Sequence, residues 1–108
     1  MSKYNKCHAQ KVEFDGKRFD SRREARRYAE LRLLERAGEI TGLRTQVPFE
    51  LIPAQDGERP CRYVADFVYS DLRTGEIVVE DVKGVRTREY VIKRKLMLWR
   101  YGVRLTEI

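Results

Sequence analysis

The sequence predicts an α/β fold, a mixed central sheet flanked by helices, on three observations. Two helices carry clear start and stop signals; between them two segments alternate with a period of two and a third is rich in β-branched residues; and a short strand closes the chain. With 108 residues the chain suits one domain, expected over residues 12–108 behind a flexible polar arm at 1–11.

The first element after the arm is a hairpin. Val12 to Phe19 carries Asp15-Gly16 at its centre, a pair that tolerates positive φ in a two-residue turn. Ser21-Arg22-Arg23-Glu24 opens a helix in the capping-box pattern, and Gly38 ends it. Leu43 to Leu51 alternates as a strand, and Pro48, lacking an N–H, places that strand near a sheet edge. Ala54 to Pro60 is a polar loop. Arg62 to Ser70 alternates again, with Tyr63, Ala65, Phe67 and Tyr69 on one expected face, and Glu76 to Lys83 is rich in β-branched residues. The turn Asp71 to Gly75 makes these two strands a hairpin. Thr87 caps a last helix that stops at Gly102, and Val103 to Ile108 is a closing strand. After the N-terminal hairpin the order is therefore αβββαβ.

Lys and Arg number 23 against 17 Asp and Glu, a net charge of +6 with a pI near 9.5. Such a balance suits a partner rich in phosphate, and the basic residues cluster: Arg86, Arg88, Lys93, Arg94, Lys95 and Arg100 share the last helix and its approach with a single acid, Glu89. Lys93 and Arg100, seven apart, form a stripe that could grip a phosphate backbone, with a solvated basic face as the plain alternative. No apolar run is long enough to cross a bilayer, and Met1 to Lys6 lacks the apolar stretch of a signal peptide, so the expected place is the cytoplasm, away from membranes. Cys7 and Cys61 match no ligand spacing, and His8 has no second pair of ligands nearby, which argues against a disulfide scaffold and against zinc.

The chemistry concentrates in Asp66 and Asp81-Val82-Lys83. Period two puts Asp81 and Lys83 on one face of a strand. A four-residue loop, Leu72 to Gly75, would set Asp71 against Glu76 and hence Asp66 against Asp81. Facing carboxylates repel unless a partner offsets them, and a hard divalent cation such as Mg²⁺, with Mn²⁺ as substitute, prefers such oxygen ligands. Lys83 could then hold the attacking water or steady the developing charge. Glu24 falls inside the apolar stripe of the first helix, where a carboxylate needs a partner; it either completes this site or closes the capping box with Ser21, and both can hold. Glu80 should face the other way. Gln46 reads as an exposed strand residue with a supporting contact to metal-bound water as the alternative.

Glu24, Gln46-Val47-Pro48, Tyr63-Val64-Ala65-Asp66-Phe67 and Glu80-Asp81-Val82-Lys83-Gly84 together resemble the PD-(D/E)XK nuclease superfamily. The pattern is most similar to its small Holliday-junction-resolvase and transposon-end nuclease branches, and residues 12 to 108 resemble a family of short phage and prophage proteins placed in that superfamily. Ala65 stands where the motif has its proline, and Asp81 takes the position that holds Asp or Glu. The resemblance implies a restriction-endonuclease-like fold and a Mg²⁺-dependent endonuclease acting on DNA, branched or junction DNA in particular, in phage recombination or replication in a bacterial cytoplasm. It makes Asp66, Asp81 and Glu24 metal ligands and Lys83 the catalytic lysine. The rival readings are a non-catalytic nucleic-acid-binding module on the same fold and a partner-binding phage protein.

On the last helix, Ile92, Leu96 and Trp99 have the spacing of a core-facing stripe. That leaves Tyr90, Met97 and Tyr101 as a second apolar strip, expected to pair with another copy of the chain as a homodimer. Tyr90 is in addition a candidate for support of the site.

Overall fold

The computed structural model describes residues 11–108; the expected arm, with Cys7 and His8, lies outside them except for Lys11. Strands β1 (Val12–Phe14) and β2 (Lys17–Phe19) pair antiparallel around Asp15 and Gly16, whose φ values of 55° and 76° are those of the predicted two-residue turn. Phe19 is buried against Tyr28, ring centroids 5.0 Å apart, so the hairpin packs on the first helix.

Helix α1 (Arg22–Arg36) starts where Ser21 Oγ accepts the Glu24 N–H at 3.1 Å. It ends at Ala37, and Gly38 follows with φ +80°, the left-handed residue that closes a helix without steric penalty. Strands β3 (Ile40–Ile52), β4 (Cys61–Asp71) and β5 (Ile77–Asp81) follow, then helix α2 (Arg88–Tyr101) and strand β6 (Thr106–Glu107). The sheet order is β3-β4-β5-β6, antiparallel except for the parallel β5–β6 pair. The result is a mixed α/β architecture of order αβββαβ with a separate hairpin. β3 is an edge strand, as expected from Pro48. No helix of the described residues is long and apolar enough to cross a membrane.

The β4–β5 hairpin closes as the loop length predicted. Asp71 N–H donates to Glu76 O at 2.9 Å, and the register runs Phe67↔Glu80, Val68↔Val79, Tyr69↔Val78, Ser70↔Ile77. Continued one rung, it sets Asp66 opposite Asp81. β5 stops there because the Val82 N–H is taken by the Asp66 carboxylate instead of the ladder, at 2.8 Å. The closing strand is shorter than Val103 to Ile108, since β5 offers it only Glu80 and Asp81 to pair with.

Two apolar clusters lie on the two faces of the sheet. One joins α2 to Leu51, Tyr63, Ala65, Val68, Val79 and Leu105; the other joins α1 and Phe19 to Ile40, Phe67 and Tyr69. The alternation of β4 thus changes sides at Asp66: Tyr63 and Ala65 face α2, whereas Phe67 and Tyr69 face α1. This corrects the single expected face.

Helix α2 also turns differently. Its buried side chains are Tyr90 and Met97, while Ile92 and Trp99, expected inside, are 58% and 79% exposed and Leu96 packs only at the margin. The physical reason lies in the tyrosine hydroxyls. Tyr90 OH donates to Glu107 Oε2 at 2.6 Å and Tyr101 OH to Glu50 O at 2.5 Å; the Tyr90 ring is buried, whereas the Tyr101 ring meets Phe49 edge-on and stays 41% exposed. Of the strip on which a homodimer was expected, Tyr90 and Met97 are therefore buried within the chain and Tyr101 stays exposed.

Candidate active site

A cleft of about 730 Å³ opens where the first turn of α1, the end of β5 and the start of α2 meet. Glu24, Tyr63, Asp66, Asp81, Lys83, Tyr90 and Lys93 all line it. Sequence reasoning had named each of these except Tyr63 as a site or support residue.

Asp81 is 3% exposed. Its Oδ2 accepts the Tyr63 hydroxyl at 2.5 Å, and its Oδ1 is buried with no hydrogen-bond partner. Lys83 Nζ stands 3.4 Å from that oxygen, close enough for charge attraction but out of hydrogen-bonding geometry. The same ammonium lies 4.5 Å from the Tyr90 ring centroid, a cation–π contact that holds the lysine just past the strand. Tyr90 thus reaches the site as support. Asp81 Oδ1 thus has a charge partner but no hydrogen-bond donor, which leaves it open to a further cationic ligand.

Asp66 accepts from Val82 N–H through Oδ2 and from the Gln46 carboxamide through Oδ1, the latter at 3.3 Å. Burial raises its carboxyl above the usual range, and Asp81 across the rung adds to this. Glu24, 4% exposed, accepts the Asp20 N–H at 3.2 Å and the Gln46 carboxamide at 2.9 Å. Its side chain therefore both caps the helix start, through Asp20 rather than Ser21, and belongs to the acid cluster. Burial, with Asp66 beside it, pushes the Glu24 carboxyl up to about 7.

A consequence for stability follows. The folded value lies above the ordinary 4.5, so the contribution of Glu24 is fully present below about pH 4.5 and is lost as pH rises through about 7. Glu24→Gln should therefore flatten the fall in thermal midpoint between pH 5 and pH 8, measured by circular dichroism melts in a chelator. Equal slopes for both proteins would contradict the assigned burial of this charge.

The donor set suits a hard cation. Among the described residues no group of three or more His, Cys, Asp or Glu side chains is arranged to hold a metal ion by itself. Mg²⁺ does not require one, since it is commonly bound by one or two carboxylates and keeps several waters. Asp66 and Asp81 are two carboxylates of that kind, and Asp81 Oδ1 has no hydrogen-bond donor. Glu24 is tied to Asp66 through Gln46, and its carboxyl lies directly beside that of Asp66.

Glu80 faces away from the site, as expected. It is fully buried and held by Arg27, whose Nε and Nη2 donate at 2.9 and 2.7 Å, and by the Tyr69 hydroxyl.

The basic residues sort unevenly. Lys93 lines the cleft and pairs with Glu89 at 3.1 Å; Arg23 and Arg62 line it too. Arg88 is exposed at the first turn of α2. Arg100, expected beside Lys93, is turned away: it donates to Leu51 O at 2.9 Å at the far end of the helix. Arg86 and Arg94 both pair with Glu107, with nitrogen–oxygen distances of 2.5 and 3.3 Å. The Tyr90 hydroxyl and these two guanidiniums hold the Glu107 carboxyl down at about 2. They tie β6 to α2, so they are structural partners first.

Two further residues shape the cleft. Tyr63, which sequence reasoning passed over, holds Asp81. Arg23 donates to Lys83 O at 3.2 Å and to Ile108 O at 3.0 Å, fixing the segment that carries the lysine. A tyrosine in a buried strand position needs a hydroxyl partner, and that was the available signal for Tyr63.

The chain belongs to the family described as a protein of unknown function (DUF1064), whose model matches residues 1–108. Neither the curated proteins nor the solved structures contain a match to it.

Proposed function

We propose that the protein is a Mg²⁺-dependent endonuclease of the PD-(D/E)XK type that hydrolyses DNA phosphodiester bonds. The observation that carries the reading is Asp81: a buried carboxylate whose Oδ1 has no hydrogen-bond donor, Lys83 Nζ 3.4 Å away, and Asp66 one strand across. Asp66 and Asp81 would hold the cation, with Mn²⁺ as substitute. When bound, the cation supplies Lewis acidity at the scissile phosphate and lowers the pKa of a coordinated water. Lys83 orients the attacking water or steadies the charge gathering on the phosphate oxygens. Tyr63 and Gln46 fix the acids, and Tyr90 fixes the lysine. Glu24 lies beside them, joined to Asp66 through the Gln46 carboxamide.

DNA would enter over Lys93, Arg23 and Arg62, with Arg88 beyond them. Single-domain size leaves little surface for reading bases, so shape is the expected cue, and branched or junction DNA the expected substrate. A role in phage recombination or replication, in a bacterial cytoplasm, rests on the family resemblance alone. For a second copy of the chain, the exposed Ile92 and Trp99 of α2 are the contact assigned here, and light scattering at micromolar concentration reads the mass: a monomer removes the dimer.

The test sets plasmid, linear, single-stranded and four-way-junction DNA side by side with Mg²⁺. Cutting of the junction above the others is the expected result; binding without cutting of any form would favour the non-catalytic module. Binding measured without Mg²⁺ should weaken steeply with salt. Lys93→Ala should lower the log–log slope by about one, and Arg100→Ala should leave it unchanged.

A further inference from the structure

Gln46 occupies a backbone conformation that glutamine has no reason to adopt. Its φ is +52°, in the left-handed region, in the interior of β3. Ladder pairs flank it on both sides, Thr45↔Phe67 and Val47↔Ala65, and the rung between them would be Gln46 with Asp66. Glycine adopts this conformation freely and asparagine tolerates it, whereas glutamine gains nothing locally from it. Strain of this kind persists where the surroundings hold it in place, and it gathers at functional sites. The same rung is where β4 changes sides, with Ala65 in one apolar cluster and Phe67 in the other.

The side chain accounts for the choice. From the left-handed position Nε2 donates to Glu24 Oε2 at 2.9 Å and to Asp66 Oδ1 at 3.3 Å, one carboxamide bridging acids from α1 and β4. A neutral side chain with two N–H groups on one nitrogen is suited to joining two carboxylates without adding charge.

We infer that Gln46 is a positioning residue of the acidic cleft: its strained backbone aims the carboxamide between Glu24 and Asp66, holding Asp66 in the orientation from which it and Asp81 receive a divalent cation. This rests on the reading of the cleft as a cation-dependent centre. Gln46 touches neither substrate nor cation in this role, and acts through the acids.

The test uses the full chain, Mn²⁺ alone as probe, and two variants. Gln46→Gly removes the carboxamide and relieves the backbone; Gln46→Ala removes the carboxamide and keeps the strain. Without metal, Gln46→Ala should melt about 4 °C or more below Gln46→Gly. By calorimetry both variants should bind Mn²⁺ at least about fivefold more weakly than the unmodified protein, because preorganisation of the ligands is lost in each. Mn²⁺ affinities within twofold of the unmodified protein would overturn the inference and leave the nuclease reading standing. Absence of Mn²⁺ binding by the unmodified protein would remove that reading, and the inference with it.

Discussion

Asp81→Asn is expected to lower DNA cleavage by on the order of 10²–10³-fold or more, the scale seen when one polar group that stabilises transition-state charge is removed. It should do so without unfolding the protein. The asparagine keeps the shape and can still accept the Tyr63 hydroxyl, while the buried anionic Oδ1 is gone. Asp66→Asn should behave alike. Burial and the neighbouring Asp81 disfavour its charged form, which offsets the loss of one of the two hydrogen bonds its oxygens accept from Val82 N–H and the Gln46 carboxamide, so the metal-free thermal midpoint should change little. Lys83→Ala removes the ammonium poised between Asp81 and the Tyr90 ring and should be comparably inactive. Cleavage assays beside melting curves decide the matter. If two of the three variants retained near-normal turnover, the site would be misassigned; if they lost activity only together with folding, the acids would be structural.

The largest effect on stability is expected on the other face of the sheet. Arg27 reaches the fully buried Glu80 with two charge-assisted hydrogen bonds, and the Tyr69 hydroxyl adds a third. Arg27→Ala would leave that carboxylate buried with only the tyrosine as partner. Breaking a buried pair from one side costs about 3–5 kcal/mol, a large part of the 5–15 kcal/mol typical of a whole domain. The thermal midpoint should fall by about 12 °C or more. Adding Glu80→Gln to Arg27→Ala should recover part of the loss, since the uncompensated charge is then absent. Urea unfolding of the two proteins measures this; a cost below about 1 kcal/mol for Arg27→Ala would mean that Glu80 is relieved by water or by protonation.

What could be read beforehand was local. Ser21 and Thr87 as caps, Gly38 and Gly102 as stops, Asp15-Gly16 as a turn and the Asp71–Gly75 loop depend on neighbours in sequence, and the structure has all of them. The loop length carried the β4–β5 register with it, which is why the facing of Asp66 and Asp81 was derivable. The orientation of α2 was not. Its sequence offers two apolar stripes of helical spacing, and periodicity alone cannot say which meets the sheet. The choice was made by distant partners, Glu107 for Tyr90 and Glu50 O for Tyr101. The pairing of Arg27 with Glu80, 53 residues apart, and the left-handed Gln46 likewise depend on tertiary contacts that no short window contains. Arg100 was misplaced for the same reason, because the helix end it sits on packs against Leu51.

The central claim is that Asp66 and Asp81 form a cation-dependent hydrolytic centre. Its most direct test is a Mg²⁺ titration of DNA cleavage by the unmodified protein, with Asp81→Asn purified in parallel to expose any contaminating nuclease. The account predicts a rate that rises to saturation with Mg²⁺, vanishes on chelation and is absent from Asp81→Asn at every concentration. Cleavage that persists in chelator, or that the two proteins share equally, would contradict it.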